Sequence, residues 1–247
     1  MNDILIIGYG VVGHNLEKEL GKLHPDHYDK YKDDNTKIDN HRYKIAFVCV
    51  DTPFSNECFC DITEVKNAIM ENDAEIFIIK STILPGYTER LIEETGKTII
   101  FSPEYYGGTQ HCNNYNFDFT ILGGEKEVCL KVVQILQQVY DGRHRFHITD
   151  AKTAELAKYV ENAYLATKVS FCVQFYEIAE KLGINYEELR ELFIADPRVN
   201  PSHTFVYKNT PYWNSHCLNK DVPAIAEFTD AKFLKAVCEY NSYCREQ

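Results

Sequence analysis

Basic residues are in short supply in this 247-residue chain: 26 Lys plus Arg stand against 37 Asp plus Glu, a formal net charge of -11. That balance excludes a broad basic face, and with it nucleic acid or an anionic membrane as the expected partner. A small phosphate ligand stays admissible, because backbone N–H groups and helix ends bind phosphate locally. Long hydrophobic runs are missing too. No stretch approaches the roughly eighteen consecutive apolar residues of a membrane span, and Met1-Asn2-Asp3 lacks the basic flank of a signal peptide. There is no regular cysteine framework. Nine cysteines, an odd number, are scattered through a chain large enough to bury its own core, so reduced thiols in a cytoplasm are expected. Internal repeats and low-complexity segments are absent.

What is present is alternation. Ile4 to Ile7, Ile45 to Val50, Ile76 to Ile79, Thr98 to Phe101 and Phe117 to Leu122 read as buried strands. Helical patterns lie between most of them: Val11 to Leu23, Asp61 to Glu71, Gly86 to Glu94 and Glu125 to Tyr140. This order predicts an α/β domain with a mostly parallel sheet, over residues 1–149. The pattern changes near residue 150. Asp150 to Leu182 contains neither proline nor glycine, with Asp150 placed as an N-cap and Gly183 as a stop. A helix of that length spans roughly 50 Å at about 1.5 Å per residue. Shorter helices over Tyr186 to Ile194, Lys220 to Phe228 and Ala231 to Arg245 make residues 150–247 an all-helical second domain, interrupted by an irregular stretch from Asp196 to Asn214.

Gly8-Tyr9-Gly10-Val11-Val12-Gly13 fits G-x-G-x-x-G directly after a strand and at the opening of a helix. Gly8 permits the tight turn, Gly10 lets a pyrophosphate approach the backbone, and Gly13 lets helix and strand pack closely. The motif places Gly8, Gly10, Val11, Val12 and Gly13 against a dinucleotide in a Rossmann-type domain. Asp29, at the end of a short second strand, is the residue spaced to hold ribose hydroxyls, and its charge favours NAD over NADP. The other reading of the Tyr28 to Asp34 run is a solvated charged loop.

Further short motifs follow the strands. Lys80-Ser81-Thr82-Ile83-Leu84-Pro85-Gly86 and Ser102-Pro103-Glu104 lie at carboxyl ends of parallel strands, where such sheets bind ligands. Lys158 and Asn162 are four apart and share one helix face. Cys217-Leu218-Asn219-Lys220-Asp221 enters a helix, so a helix amino terminus and a lysine both act to lower the thiol's pKa. With Val50-Asp51-Thr52-Pro53, Tyr159, Ala163 and Asp196-Pro197-Arg198, these pieces occur in the order found in the UDP-glucose/GDP-mannose dehydrogenase family, which the chain resembles from Gly8 to its last helix. Within that family the likeness is to the UDP-glucose 6-dehydrogenase type.

The resemblance implies an NAD-dependent, four-electron oxidation of a nucleotide sugar, UDP-glucose to UDP-glucuronate, in two steps. By matching position, Cys217 is implied as the nucleophile that forms a thiohemiacetal and then a thioester. Lys158 and Asn162 are implied as oxyanion stabilisers, Asp221 as a base or water-holder, Thr82 as a water-positioning residue, and Glu104 as the group assisting thioester hydrolysis. Thr52, Pro53, Thr82 and Lys220 join the dinucleotide contacts on the same grounds. A homodimer paired through the long helix is implied as well.

Each assignment has a plainer counterpart. A cysteine is more often an inert core residue than a nucleophile; Lys158 and Asn162 also suit an ordinary amphipathic helix, and Glu104 a surface carboxylate. Cys58-Phe59-Cys60 with His111-Cys112 matches no standard zinc spacing, so no metal is expected. The chain also departs from the family pattern. Relatives carry a third domain over the substrate's nucleotide, so a short form is expected here. The loop before the nucleophile, glycine-rich in relatives, reads Pro211-Tyr212-Trp213-Asn214-Ser215-His216, and Asn219 stands where proline is frequent. An aromatic stretch from Tyr207 to Trp213 offers rings that would stack on the base instead. The second reading is therefore a non-catalytic NAD-binding relative that has lost its sugar. A third, a dehydrogenase of small hydroxy acids, has no use for Cys217.

Overall fold

Seven short strands pair into one sheet in the order β2-β1-β3-β4-β5-β6-β7. The computed structural model describes residues 3–106 and 117–247; His111 and Cys112 lie outside them. The chain divides into two compact units, Met1–Pro53 with Cys60–Lys158, and Phe54–Phe59 with Tyr159–Gln247.

The first unit holds the sheet. Its strands are β1 (Ile4–Ile7), β2 (Asp26–Tyr28), β3 (Tyr43–Val48), β4 (Ala74–Ile79), β5 (Ile99–Phe101), β6 (Phe119–Gly123) and β7 (Arg145–Thr149). All neighbours run parallel except β5 and β6, which meet antiparallel at Phe101 and Gly123. Side chains alternate across the sheet because a strand has a period of two. In β4, Phe77 and Ile79 enter the core under α2 (Thr63–Met70), α3 (Tyr87–Thr95) and the start of α5 (Ala151–Leu182). Ile76 and Ile78 enter the opposite core, under α1 (Val11–Glu19) and α4 (Lys126–Leu136). Helices on both faces are what make the central strands apolar throughout. The expected α/β class, mostly parallel sheet and long helix are all present, and β7 is an addition to the expected strands.

The second unit is helical. It contains α5 from Tyr159, then α6 (Tyr186–Ile194), α7 (His216–Phe228) and α8 (Lys232–Glu246). Asn185 caps α6 by accepting the amides of Glu187 and Glu188. The irregular stretch is tied down by buried Arg190, which donates to the Thr204 hydroxyl at 2.8 Å and stacks on Phe205 at 3.6 Å. Trp213, Leu218, Val222 and Val237 form a core with Ala166 of α5. One helix begins earlier than expected: α7 starts at His216, not Lys220, because the Ser215 hydroxyl caps it through the Leu218 amide. Among the described residues no helix is long and apolar enough to cross a membrane.

Candidate active site

The glycine turn follows the expected logic residue by residue. Gly8 has φ +89°, and a Cβ there would meet the carbonyl carbon and oxygen of Cys49 at 2.7 Å. A Cβ at Gly13 would collide with the Gly8 carbonyl oxygen. At Gly10 a Cβ would meet no protein atom within 4 Å. The protein's own packing therefore demands Gly8 and Gly13 but not Gly10, which fits a glycine kept for the approach of a ligand. No side chain caps α1 at Gly10 and no acidic residue occupies its first turn. Val11 is exposed and Val12 half-buried. These are the features of a pyrophosphate cradle at a helix amino terminus.

Asp29 follows β2, as the spacing requires. Its carboxylate accepts the Tyr9 amide at 2.9 Å and the Tyr31 amide at 3.0 Å. Burial works against its charge, but those two amides with Lys32 and Lys30 hold the carboxyl below its usual range. Two bonds leave further acceptor positions on the carboxylate, enough for ribose hydroxyls. Lys32 instead donates to the Tyr9 carbonyl, and Lys30 pairs with Glu64, so neither lysine is spent on neutralising Asp29 alone. Tyr9, inside the motif, stacks face to face on His27 at 3.8 Å and donates its hydroxyl to Glu17. Burial and Glu17 push that phenol up to about 12.

At the carboxyl ends of β3 and β4, buried Thr52 donates to the Thr82 carbonyl at 2.7 Å, while Pro53 beside it is exposed. Glu104, beyond β5, is buried and accepts the Tyr106 amide at 2.7 Å. Lys158 on α5 is buried too, with its ammonium 4.9 Å from the Tyr105 ring centre.

The second unit gathers the remaining candidates. Cys217 is the second residue of α7, so Lys220 and Asp221 follow at i+3 and i+4 on the same face. Asp221 is almost fully buried, 2% exposed. It accepts the Asn162 amide at 2.7 Å and the Lys220 ammonium at 2.7 Å. A buried carboxylate needs such partners to stay charged. Lys220, implied as a dinucleotide contact, here holds Asp221. Cys217 is half-buried, at the positive end of a helix. Three other thiols are poor competitors: burial pushes Cys49 up to about 12 and Cys129 and Cys238 to about 11.

The loop before the nucleophile is not a loose aromatic flap. Trp213 is 5% exposed, its indole N–H donates to Ser170 at 3.1 Å, and its backbone N–H and carbonyl pair with the Asn241 side chain at 2.9 and 3.1 Å. Arg245 adds a bond to the Trp213 carbonyl at 2.9 Å. Trp213 is thus a core residue, which corrects the expectation that it stacks on a base. Tyr207 remains exposed.

The burial of two charged residues was invisible to motif reading. Glu155, fully buried on α5, accepts from the Gly86 amide, the Thr88 amide and the Thr88 hydroxyl at 2.6, 2.8 and 2.6 Å. Lys80 is buried beside Ser102; it was within a motif, but nothing in the spacing showed where its ammonium goes.

The family model for the NAD binding domain of the UDP-glucose/GDP-mannose dehydrogenase family matches residues 11–143, and the model for its central domain matches residues 152–243. The UDP-N-acetyl-D-mannosamine dehydrogenase of Methanocaldococcus jannaschii is 30% identical over 213 residues, covering 80% of this chain and 48% of that protein. The UDP-glucose 6-dehydrogenase of Rickettsia prowazekii is 25% identical over 280 residues, covering 96% of this chain and 63% of that protein. The chain spans about half the length of several such curated relatives. In fold, it superposes on a UDP-glucose dehydrogenase from Pyrobaculum islandicum with a TM-score of 0.79 at 21% identity, over 98% of this chain and 68% of that one.

Proposed function

The chain belongs to the UDP-glucose/GDP-mannose dehydrogenase family, and on that premise we propose that it oxidises the C6 alcohol of a UDP-sugar to a carboxylate, UDP-glucose being the first substrate to test. Its amino-terminal half is the family's NAD-binding domain, and the cofactor is NAD. The observation that carries the reading is Asp221, held by Asn162 and Lys220 one helical turn beyond Cys217. An acidic group fixed at that spacing serves a nucleophile and its water, whereas an inert core thiol needs no such neighbour.

NAD, when bound, would supply the hydride acceptor, one molecule for each of the two oxidations. In the first, a base takes the C6 hydroxyl proton as the carbon loses hydride, giving the aldehyde. An aldehyde carries no alcohol to oxidise until a nucleophile adds. The Cys217 thiolate forms that C–S bond, and Lys158 and Asn162 stabilise the resulting oxyanion. Loss of the second hydride gives a thioester on Cys217. By matching position, Thr82 and Asp221 are assigned to the water that attacks the thioester carbon, and Glu104 to the proton it gives up; the C–S bond breaks, releasing carboxylate and thiol.

Residues 1–149 act in this scheme as the NAD-binding domain and residues 150–247 as the helical central domain. A homodimer through α5 completes it: Val160, Tyr164, Phe171, Phe175 and Leu182 recur at helical spacing and are exposed, an apolar stripe that calls for a partner. The place of action in this reading is the cytoplasm, where thiols stay reduced.

A second reading, a non-catalytic NAD-binding relative, draws support from the loop Pro211 to His216, whose side chains fill what relatives leave as glycine. Incubating the protein with NAD and a panel including UDP-glucose and UDP-N-acetylmannosamine separates the two. NADH formed with a UDP-sugar supports the enzyme; calorimetric NAD binding with no NADH from any sugar supports the second reading.

A further inference from the structure

Lys80 is a lysine where the sheet's pattern calls for another apolar residue. In β4, Ile76 and Ile78 point into the core under α1 and α4, and Lys80, two residues on, continues that column past the last ladder pair, Ile79 with Phe101. Ile100 does the same from β5, so Ser102 follows it on the same side. The Lys80 ammonium donates to the Ser102 hydroxyl at 2.9 Å. Both strand ends are pinned by backbone bonds: the Lys80 amide donates to the Val48 carbonyl at 2.8 Å, and the Ser102 amide to the Ile79 carbonyl at 2.9 Å. A buried ammonium costs several kcal/mol unless anionic or polar groups meet it. Lys80, Glu19 of α1 and Glu104 after β5 line one pocket, and Cys49 after β3 acts on the ammonium together with those two carboxylates. Glu19 is engaged by the Tyr140 hydroxyl beyond α4, and the Cys49 thiol is held neutral by burial. Of the two carboxylates, Glu104 is the one that follows Ser102 two residues on, and the one that the proposed chemistry uses. Lys158 of α5 lies over the adjacent Tyr105 ring, and Asp118, Asp141, Arg143 and His144 line the same pocket as Lys80 and Glu104.

We propose that Lys80 is a positioning residue for Glu104: anchored on Ser102, its ammonium keeps the Glu104 carboxylate ionised and fixed at the end of β5, ready to accept a proton from water. The proposal rests on the reading of Glu104 as the group that assists thioester hydrolysis. Burial alone drives the lysine's pKa down, and Glu19, Cys49 and Glu104 oppose that shift. An ammonium so placed acts on Glu104 through a low-dielectric interior, where charge interactions are strong.

The test is an NMR titration of protein carrying 13C-labelled glutamate carboxyls, with Glu104 assigned by Glu104→Gln. In Lys80→Met the Glu104 midpoint is expected to rise by about one pH unit or more, about tenfold in proton affinity, while Lys80→Arg keeps it near the wild-type value. An unchanged midpoint in Lys80→Met overturns the proposal. Should Lys80→Met fail to fold, Ser102→Ala keeps the lysine and removes its anchor: a smaller upward shift supports the link, and no shift overturns it. Kinetics give an independent readout. With a turning-over UDP-sugar, Lys80→Met should keep the NADH burst and KM but slow the steady state, with its acidic limb moved to higher pH. If wild-type protein forms no NADH with any nucleotide sugar, the dehydrogenase reading fails, and the titration still decides the role of Lys80.

Discussion

Glu155 accepts both the amide and the hydroxyl of Thr88, at 2.8 and 2.6 Å, across 67 residues of sequence. With the Gly86 amide at 2.6 Å it does for α3 what no residue of α3's own approach does, since Gly86 has no side chain to cap with. The carboxylate ties the base of α5 to the turn that follows Thr82. Thr88→Val removes one charge-assisted bond and should cost about 2 kcal/mol in denaturant unfolding. Burial pushes Glu155 up to about 7 despite its three donors. A carboxyl raised in the folded state binds an extra proton there, so its contribution to stability falls as pH rises from the ordinary carboxyl range to about 7 and is flat above. The stability of wild type minus that of Glu155→Gln should decline across that window. A difference that rises with pH there would contradict the assignment.

The assignment of Asp29 to the ribose site predicts a cofactor preference. A 2′-phosphate would face its carboxylate, so NAD should bind at least about tenfold more tightly than NADP, a difference of about 1.4 kcal/mol. Asp29→Asn should narrow that ratio, mainly by weakening NAD. Fluorescence titration with both nucleotides checks it; equal affinities in the wild type would remove Asp29 from the ribose site.

The glycine turn, the parallel sheet and the long helix were legible in sequence because each is local: glycines between a strand and a helix, short continuous apolar runs, a stretch without breakers. Cys217, Lys220 and Asp221 were legible as motif residues, and their shared face follows from helical spacing alone. What escaped depended on distance. Arg145–Thr149 is a short edge strand in which two apolar residues, Phe146 and Ile148, alternate with polar ones, a weaker signal than the continuous apolar runs of the central strands. The true start of α7 was signalled by Ser215, a capping residue that lies ahead of the expected boundary at Lys220. Glu155 and Lys80 look like surface charges until the partner turns are placed beside them.

Trp213 and Tyr212 should behave oppositely. Trp213→Ala removes a buried indole with its Ser170 bond and should cost about 4 kcal/mol of stability. Half-buried Tyr212 lies under the Arg245 guanidinium, 5.5 Å from its ring centre, so Tyr212→Ala should leave the melting temperature within a few degrees and act on KM. Thermal melts of both variants check this. A larger loss for Tyr212→Ala than for Trp213→Ala would contradict the placement of the loop.

The exposed stripe on α5 predicts a dimer. Light scattering at micromolar concentration should give twice the chain mass, and Val160→Asp with Phe171→Asp should give a folded monomer, because two charges would be desolvated in the interface. A monomeric wild type would refute the assignment of that face.

The central claim is that Cys217 carries the second oxidation, and counting NADH per sugar in wild type and Cys217→Ser tests it most directly, with the product identified by mass. The account predicts two NADH and one carboxylate per UDP-sugar for wild type. For the serine variant it predicts a stalled second oxidation or a slowly hydrolysed ester, because a hydroxyl without a dedicated base is a far weaker nucleophile than a thiolate at a helix amino terminus. If Cys217→Ser forms carboxylate at the wild-type rate, Cys217 is an ordinary thiol and the mechanism is wrong.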